Sequence, residues 1–163
     1  MKIEIVPIKD LFEVVYGVNL ELNKLEQSSD GINFVSRTST NNGVSAKVNI
    51  IKDVKPQPPG TISVSGGGSP CEAFVQLENY YSGRDLYVLY PKENFSTEVL
   101  TFYCTCIRMN KYRFNYGRQT NRTLPNLLVP MHTNYSDWIQ KSALTKKNEV
   151  KNKIKNVEDF IFS

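Results

Sequence analysis

Cysteine, histidine and tryptophan are scarce in this chain of 163 residues, with three, one and one copies. Cys71, Cys104 and Cys106 are too few, and odd in number, for a secreted disulfide framework. Cys104-Thr105-Cys106 is not a CxxC motif, and helix residues i and i+2 do not face each other, so the cysteines read as buried free thiols. A single histidine, His132, argues against a zinc site and against histidine-based catalysis. There is no GxSxG, and the acids show no paired spacing of the kind a glycosidase or metal site uses. We therefore assign no catalytic and no metal-binding residue. Apolar runs span only a few residues, as at Leu127-Leu128-Val129, whereas a spanning helix needs about 20. Residues Met1 to Val6 alternate apolar and charged types and lack a signal-peptide core. The expected location is the cytoplasm, with no membrane partner.

What is present fits a folded domain. Hydrophobic residues make up 40% of the chain and charged residues 22%, enough for a real core. At ~150 residues per domain, the length bounds the chain to one domain and a short appendage. The net charge of +4 is unremarkable, but its distribution is not. Arg108, Lys111, Arg113, Arg118 and Arg122 fall in one stretch with no acid between them. In contrast, the first 35 residues hold three lysines against six acids. A localised positive patch points to a polyanion.

Short strands are expected at Phe12–Tyr16 (after a helix or turn at Ile8–Leu11), Ile32–Val35, Ala46–Ile51, Thr61–Ser65, Ala73–Leu77 and Asp85–Leu89. Ser28–Gly31 and Gly66–Pro70 read as turns, and Thr38–Gly43 as a polar loop with an Asn-Gly signal. Ser96 is placed to cap a helix that carries Val99, Tyr103, Cys106 or Ile107, and Asn110 at helical spacing, with Gly117 as a stop beyond it. Thr123–Val129 returns to a turn and strand closed by Pro130. Ser142–Val157 reads as a weaker basic helix with Val150, Ile154 and Val157 on one side. Strands followed by helices give an α+β or mainly-β fold.

Three polar segments carry chemistry. RMNKYRFNYGRQTNR, from Arg108 to Arg122, interleaves Lys111, Arg113, Arg118 and Arg122 with Tyr112, Phe114 and Tyr116, then adds Gln119 and Asn121. Arginine and lysine pair with phosphates or guanine edges, asparagine and glutamine read adenine, and aromatic rings stack on bases. Ser36–Gly43 offers Arg37, Thr38, Ser39, Asn41 and Asn42 in one loop. Tyr80–Arg84 is the third, less specific. Gly66-Gly67-Gly68 fits neither GxGxxG nor GxxxxGK[ST] and reads as a tight turn.

An ordered series of segments carries a resemblance: VPIKDLFEVVYG from Val6, INFVSRTSTNNGVSA from Ile32, GTISVSGGGSPCEAFVQ from Gly60, YYSGRDLYVLYPK from Tyr80, and LTFYCTCIRMNKYRFNYGRQTNRTLPNLLVP from Leu100. It resembles the target recognition domain of Type I restriction-modification specificity subunits and of related Type II restriction–methylation enzymes. The match runs from about Val6 to Trp138. The resemblance implies a twisted, partly barrel-like β core with a packed helix and a short C-terminal helical tail. Residues 1–138 would form the recognition domain and residues 139–163 the basic tail. It implies sequence-specific binding of duplex DNA and no catalysis in this chain. A partner methyltransferase, which would bind S-adenosylmethionine, and a restriction subunit would act on the DNA. The DNA-facing residues would be Arg37, Thr38, Ser39, Asn41, Asn42 and Ser45, then Tyr81 and Arg84. Lys111 and Arg113 would join them, followed by Tyr116, Gly117, Arg118, Gln119, Thr120, Asn121 and Arg122. A full specificity subunit carries two such domains. This chain has one, which leaves three forms open: a half-subunit that forms a homodimer, a domain of a larger enzyme, or a stand-alone protein. Val150, Ile154 and Val157 would be its docking face. The alternative is a protein-interaction module that docks on a methyltransferase or an antagonist, with DNA binding residual.

Overall fold

Hydrophobic alternation and turn chemistry place the strands, and long-range pairing then sorts them. The structure, a computed structural model, describes residues 3–114 and 123–161. In chain order these form β1 (Ile5–Pro7), α1 (Ile8–Leu11), β2 (Phe12–Tyr16), β3 (Gln27–Val35), β4 (Val44–Val48), β5 (Thr61–Ser65), β6 (Ala73–Gln76), β7 (Tyr80–Ser82), β8 (Leu86–Pro91), α2 (Thr97–Met109), β9 (Leu128–Pro130) and α3 (Ser136–Ile161). Among the described residues, β1 pairs with β9, a second sheet runs β2-β8-β5-β6, and a third runs β4-β3-β7. The second sheet is antiparallel throughout, whereas β3 and β7 run parallel. The fold is thus mixed α and β, built from open sheets rather than a closed barrel.

Strand β5 shows how the layers meet. Its sequence TISVS alternates, yet all five residues are buried. Ile62 and Val64 join the main core with Leu89, Leu100, Tyr103 and Ile107, beneath α2. The polar residues between them are not left to water. Thr61 Oγ1 lies 3.1 Å from the Tyr80 hydroxyl, and Gln76 Nε2 donates to Ser63 Oγ at 2.9 Å. Buried hydroxyls stay tolerable only when bonded in this way. A smaller cluster of Val35, Tyr80, Leu86 and Val88 joins the second and third sheets.

Several local expectations change in the tertiary context. Ser28–Gly31 lies within β3 rather than in a separate turn, but the register jumps there from Gln27↔Val48 to Ile32↔Val48. Gly31 makes that bulge fit, because a Cβ on it would sit 2.3 Å from the Val48 carbonyl oxygen. Tyr80–Ser82, read as loop, is strand β7, held by pairing with β3. Helix α2 starts as expected, with Ser96 Oγ accepting from the Val99 amide at 3.4 Å, but it stops well short of Gly117. Asn110 ends it: its side chain bonds the Cys106 carbonyl at 2.9 Å, and a 3-10 turn over Lys111–Phe114 follows. Phe114 is buried there in the main core, not free to stack on a ligand. Helix α3 begins at Ser136, earlier than expected, because Tyr135 and Trp138 pack their rings against Phe102 of α2.

Candidate nucleic-acid interface

Strand register brings four loops to one end of the molecule. Tyr16 at the end of β2 pairs with Tyr87, and Ser65 at the end of β5 pairs with Leu86 at the start of β8. The parallel pair β3–β7 sets Val35 beside Ser82. The segments leaving β2, β3, β5 and β7 therefore emerge together. Arg37, just past β3, donates from Nη1 to Asp85 Oδ2 at 2.7 Å. The Tyr16 hydroxyl donates to Asp85 Oδ1 at 3.0 Å and accepts from the Asp85 amide at 3.1 Å. Desolvation, reinforced by the hydrogen bond to Asp85, pushes the Tyr16 phenol above its usual range. Gly66 N donates to the Asp85 carbonyl at 2.7 Å, and Ser65 Oγ closes the glycine turn on Gly67 O at 2.7 Å. The glycine triplet is a tight turn, as expected, and its Gly68 adopts φ +69°.

The loop after Arg37 is seated on β6. Asn41, Asn42 and Gly43 are all left-handed, with φ of 48°, 55° and 79°. Asparagine and glycine are the residues that adopt this region at least cost. Asn41 Nδ2 donates to Val44 O at 2.9 Å, and Asn42 Nδ2 donates to Val75 O on β6 at 2.9 Å. Gln76 Nε2 returns a bond to Asn42 O at 3.0 Å. Among the described residues, each asparagine amide thus spends one donor on the fold and keeps its Oδ1 and second N–H. Thr38 and Thr40 join hydroxyls at 3.0 Å, Ser39 is exposed, and Ser45 Oγ bonds Phe34 O at 3.3 Å.

The basic segment reaches the same strand. Arg108 on α2 holds its guanidinium carbon 5.7 Å from the centre of the Phe74 ring on β6. Lys111 donates to Glu72, whose side chain is only 11% exposed, just before β6. Arg113 and Tyr112 are exposed. Strand β6 is thus the platform where the two sequence-distant clusters meet. It is the edge of its sheet, so Val75 O has no strand partner on that side and the Asn42 side chain supplies one.

One expectation about a single residue is corrected here. Tyr81 is fully buried, and its hydroxyl accepts from the Ile51 amide at 3.1 Å, so it braces the 50–54 loop and does not face a ligand. Lys111 is half-exposed and paired with Glu72. Arg84 is exposed at 61% of its side chain, and its nearest acid is Glu21 at 3.7 Å. Tyr116, Gly117, Arg118, Gln119, Thr120, Asn121 and Arg122 lie outside the described residues. Sequence reasoning missed Tyr16, Asp85, Glu72, Phe74 and Arg108. Only Arg108 carried a signal, its place at the head of the basic run.

Elsewhere among the described residues, no cluster could hold a metal ion and no helix is long and apolar enough to cross a membrane. Cys71 and Cys104 are buried thiols, each pushed up to about 12 mainly by desolvation. His132 Nδ1 lies 2.9 Å from the Tyr103 hydroxyl, a structural tie between α2 and the start of α3. Val150, Ile154 and Val157 of α3 are exposed at 54%, 53% and 56%.

Comparison with known proteins places this geometry. The chain is 27% identical over 134 residues to the Type II restriction enzyme BgcI specificity subunit S.BcgI of Heyndrickxia coagulans, covering 80% of this chain and 39% of that protein. Its fold is similar to the Type-I restriction-modification system S subunit from M. genitalium, with TM-score 0.65, 18% identity, and coverage of 93% of this chain and 41% of that one. It is also similar to the HsdS subunit from Thermoanaerobacter tengcongensis, with TM-score 0.62, 16% identity, and coverage of 90% and 39%. The chain thus spans about two-fifths of the length of these relatives. Residues 2–159 match the Type I restriction modification DNA specificity domain, and the chain belongs to that family.

Proposed function

We propose that this domain binds duplex DNA sequence-specifically as the target recognition part of a restriction-modification specificity subunit. In this role it directs a partner methyltransferase and endonuclease and performs no chemistry itself. The observation that carries the reading is the meeting of the Arg37–Ser45 loop and the Arg108–Arg113 segment over β6. Arginines with open donors, asparagines with a free acceptor and donor, and an exposed tyrosine then share one surface. That is the set used for base-edge and phosphate contacts. The same stretch of sequence goes on to Arg118, Gln119, Asn121 and Arg122, which carry the same kinds of donor and acceptor. S-adenosylmethionine would bind the methyltransferase, not this chain.

The test is selection of the purified chain on a random duplex library at two salt concentrations. A short enriched motif that survives the higher salt establishes base readout. Motif-free binding that collapses with salt reduces the role to phosphate contacts. Arg113→Ala is expected to weaken all sequences alike and lower the salt slope by about one.

A second surface favours a protein partner as well. Val150, Ile154 and Val157 leave apolar side chains exposed along one side of α3. We assign this face to docking on a methyltransferase subunit or on a second copy of the chain. Ile154→Lys is expected to abolish co-purification of the partner while leaving DNA selection intact.

A further inference from the structure

The four converging loops support a finer reading, which rests on the DNA-binding assignment above. We propose that Asp85, braced by Tyr16, is a positioning residue that fixes the Arg37 guanidinium and so sets the base pair that Arg37 selects.

The argument begins with freedom. An exposed arginine samples many rotamers, and a guanidinium reads guanine only when its planar fork is held in one orientation. Here Nη1 is committed to Asp85 Oδ2 at 2.7 Å, and no other side-chain hydrogen bond is made by Arg37 among the described residues. One nitrogen is therefore anchored, and the Nε and Nη2 donors stay available. The anchor is itself immobilised by two other strand ends. Tyr16, from the end of β2, bonds both the carboxylate and the amide of Asp85. Gly66, just past β5, bonds the Asp85 carbonyl. The glycine turn also flanks the arginine stem, since a Cβ on Gly68 would lie 3.6 Å from Arg37 Cβ. Asp85 holds its own backbone at φ 54°, so its carboxylate is presented from a turn that neither β7 nor β8 would dictate.

Charge gives the proposal its discriminating sign. A carboxylate on a surface that approaches phosphates works against attraction. Its value there is orientation rather than affinity. Removing the charge should therefore separate two quantities that ordinary destabilisation lowers together. Selectivity should fall while affinity for arbitrary duplex stays level or rises.

The experiment uses the full chain with its enriched duplex and the set of single-base-pair variants of that duplex, at two salt concentrations. The proteins are wild type, Arg37→Ala, Asp85→Asn, the Arg37→Ala/Asp85→Asn double variant and Tyr16→Phe, with urea midpoints measured alongside. We expect Arg37→Ala to lose roughly tenfold discrimination at one base pair, the scale of one bidentate contact. Asp85→Asn should lose preference at that same base pair, with equal or tighter binding to arbitrary duplex, and the double variant should lose no more. Tyr16→Phe, which keeps the ring and the carboxylate, should show a smaller loss at the same position, and it carries the test should Asp85→Asn fail to fold. Full discrimination by Asp85→Asn, or a loss at a different base pair from Arg37→Ala, overturns the clamp and leaves the DNA-binding reading standing. A wild-type chain with no sequence preference overturns that reading, and the clamp with it.

Discussion

Asn42 is where the loop between β3 and β4 is fastened, and its replacement separates a side-chain bond from a backbone conformation. The residue sits at φ 55° and donates from Nδ2 to the Val75 carbonyl on the edge of β6 at 2.9 Å. Asn42→Ala removes that bond, worth about 0.5–1.5 kcal/mol. It also forces an L residue without a local acceptor into the left-handed region, at about 1–2 kcal/mol. The total is a loss of about 1.5–3.5 kcal/mol. Asn42→Gly removes the same bond and avoids the left-handed penalty. It adds only the extra entropy of a glycine in the unfolded chain, about 0.5–1 kcal/mol. Glycine should therefore be the milder change by about 0.5–1 kcal/mol, the reverse of the usual order. Gln76 still reaches the Asn42 carbonyl in both variants, so the loop keeps one tie. Urea denaturation of the three proteins at equal concentration measures the difference, and thermal midpoints should separate by about 1–4 °C for a chain of this size. An alanine variant as stable as the glycine variant, or more so, would refute the reasoning.

Other outcomes follow from the same contacts. Tyr81→Phe should cost about 1–3 kcal/mol in urea denaturation, because it leaves the Ile51 amide without its acceptor, and should leave DNA selection unchanged. Tyr103→Phe should cost a similar amount by the same assay, since the hydroxyl accepts from the His132 amide at 3.2 Å and also meets His132 Nδ1. The buried thiols predict a pH dependence. Unfolded cysteines ionise near 9.0, whereas Cys71 and Cys104 stay protonated up to about 12 in the folded chain. The folded state then binds more protons than the unfolded state above pH 9, so stability should fall as pH rises from there towards 12. A thiol reagent at pH 8 should leave Cys71 and Cys104 unlabelled in the native protein and react with all three cysteines after unfolding.

The resemblance of ordered segments was legible without coordinates, and so was much of the local structure. Thr61–Ser65 alternates β-branched residues, Ser96 caps a helix three residues ahead of Val99, and Gly66–Gly68 can only turn. Those signals are local, and the physics behind them acts within a few residues. The end of α2 was less legible, because Asn110 stops it through a side-chain bond to Cys106, where glycine at position 117 looked the better breaker. Tyr80–Ser82 was illegible as strand because three residues gain that conformation only from the parallel pairing to β3.

The site divides the same way. The sequence by itself determined that a basic, aromatic-rich stretch and an asparagine loop exist, since charge and hydrogen-bonding groups belong to residue types and not to a fold. It also marked a turn in the polar loop by its Asn-Gly pair, because asparagine and glycine adopt the left-handed region at least cost. Only the tertiary structure decided that the two segments meet over β6, that Tyr81 turns inward, and that Lys111 is held by Glu72. Only it decided that Asp85 and Arg37, 48 residues apart in the chain, stand 2.7 Å from each other. Partners at that separation are chosen by strand register, and register is a property of the whole core.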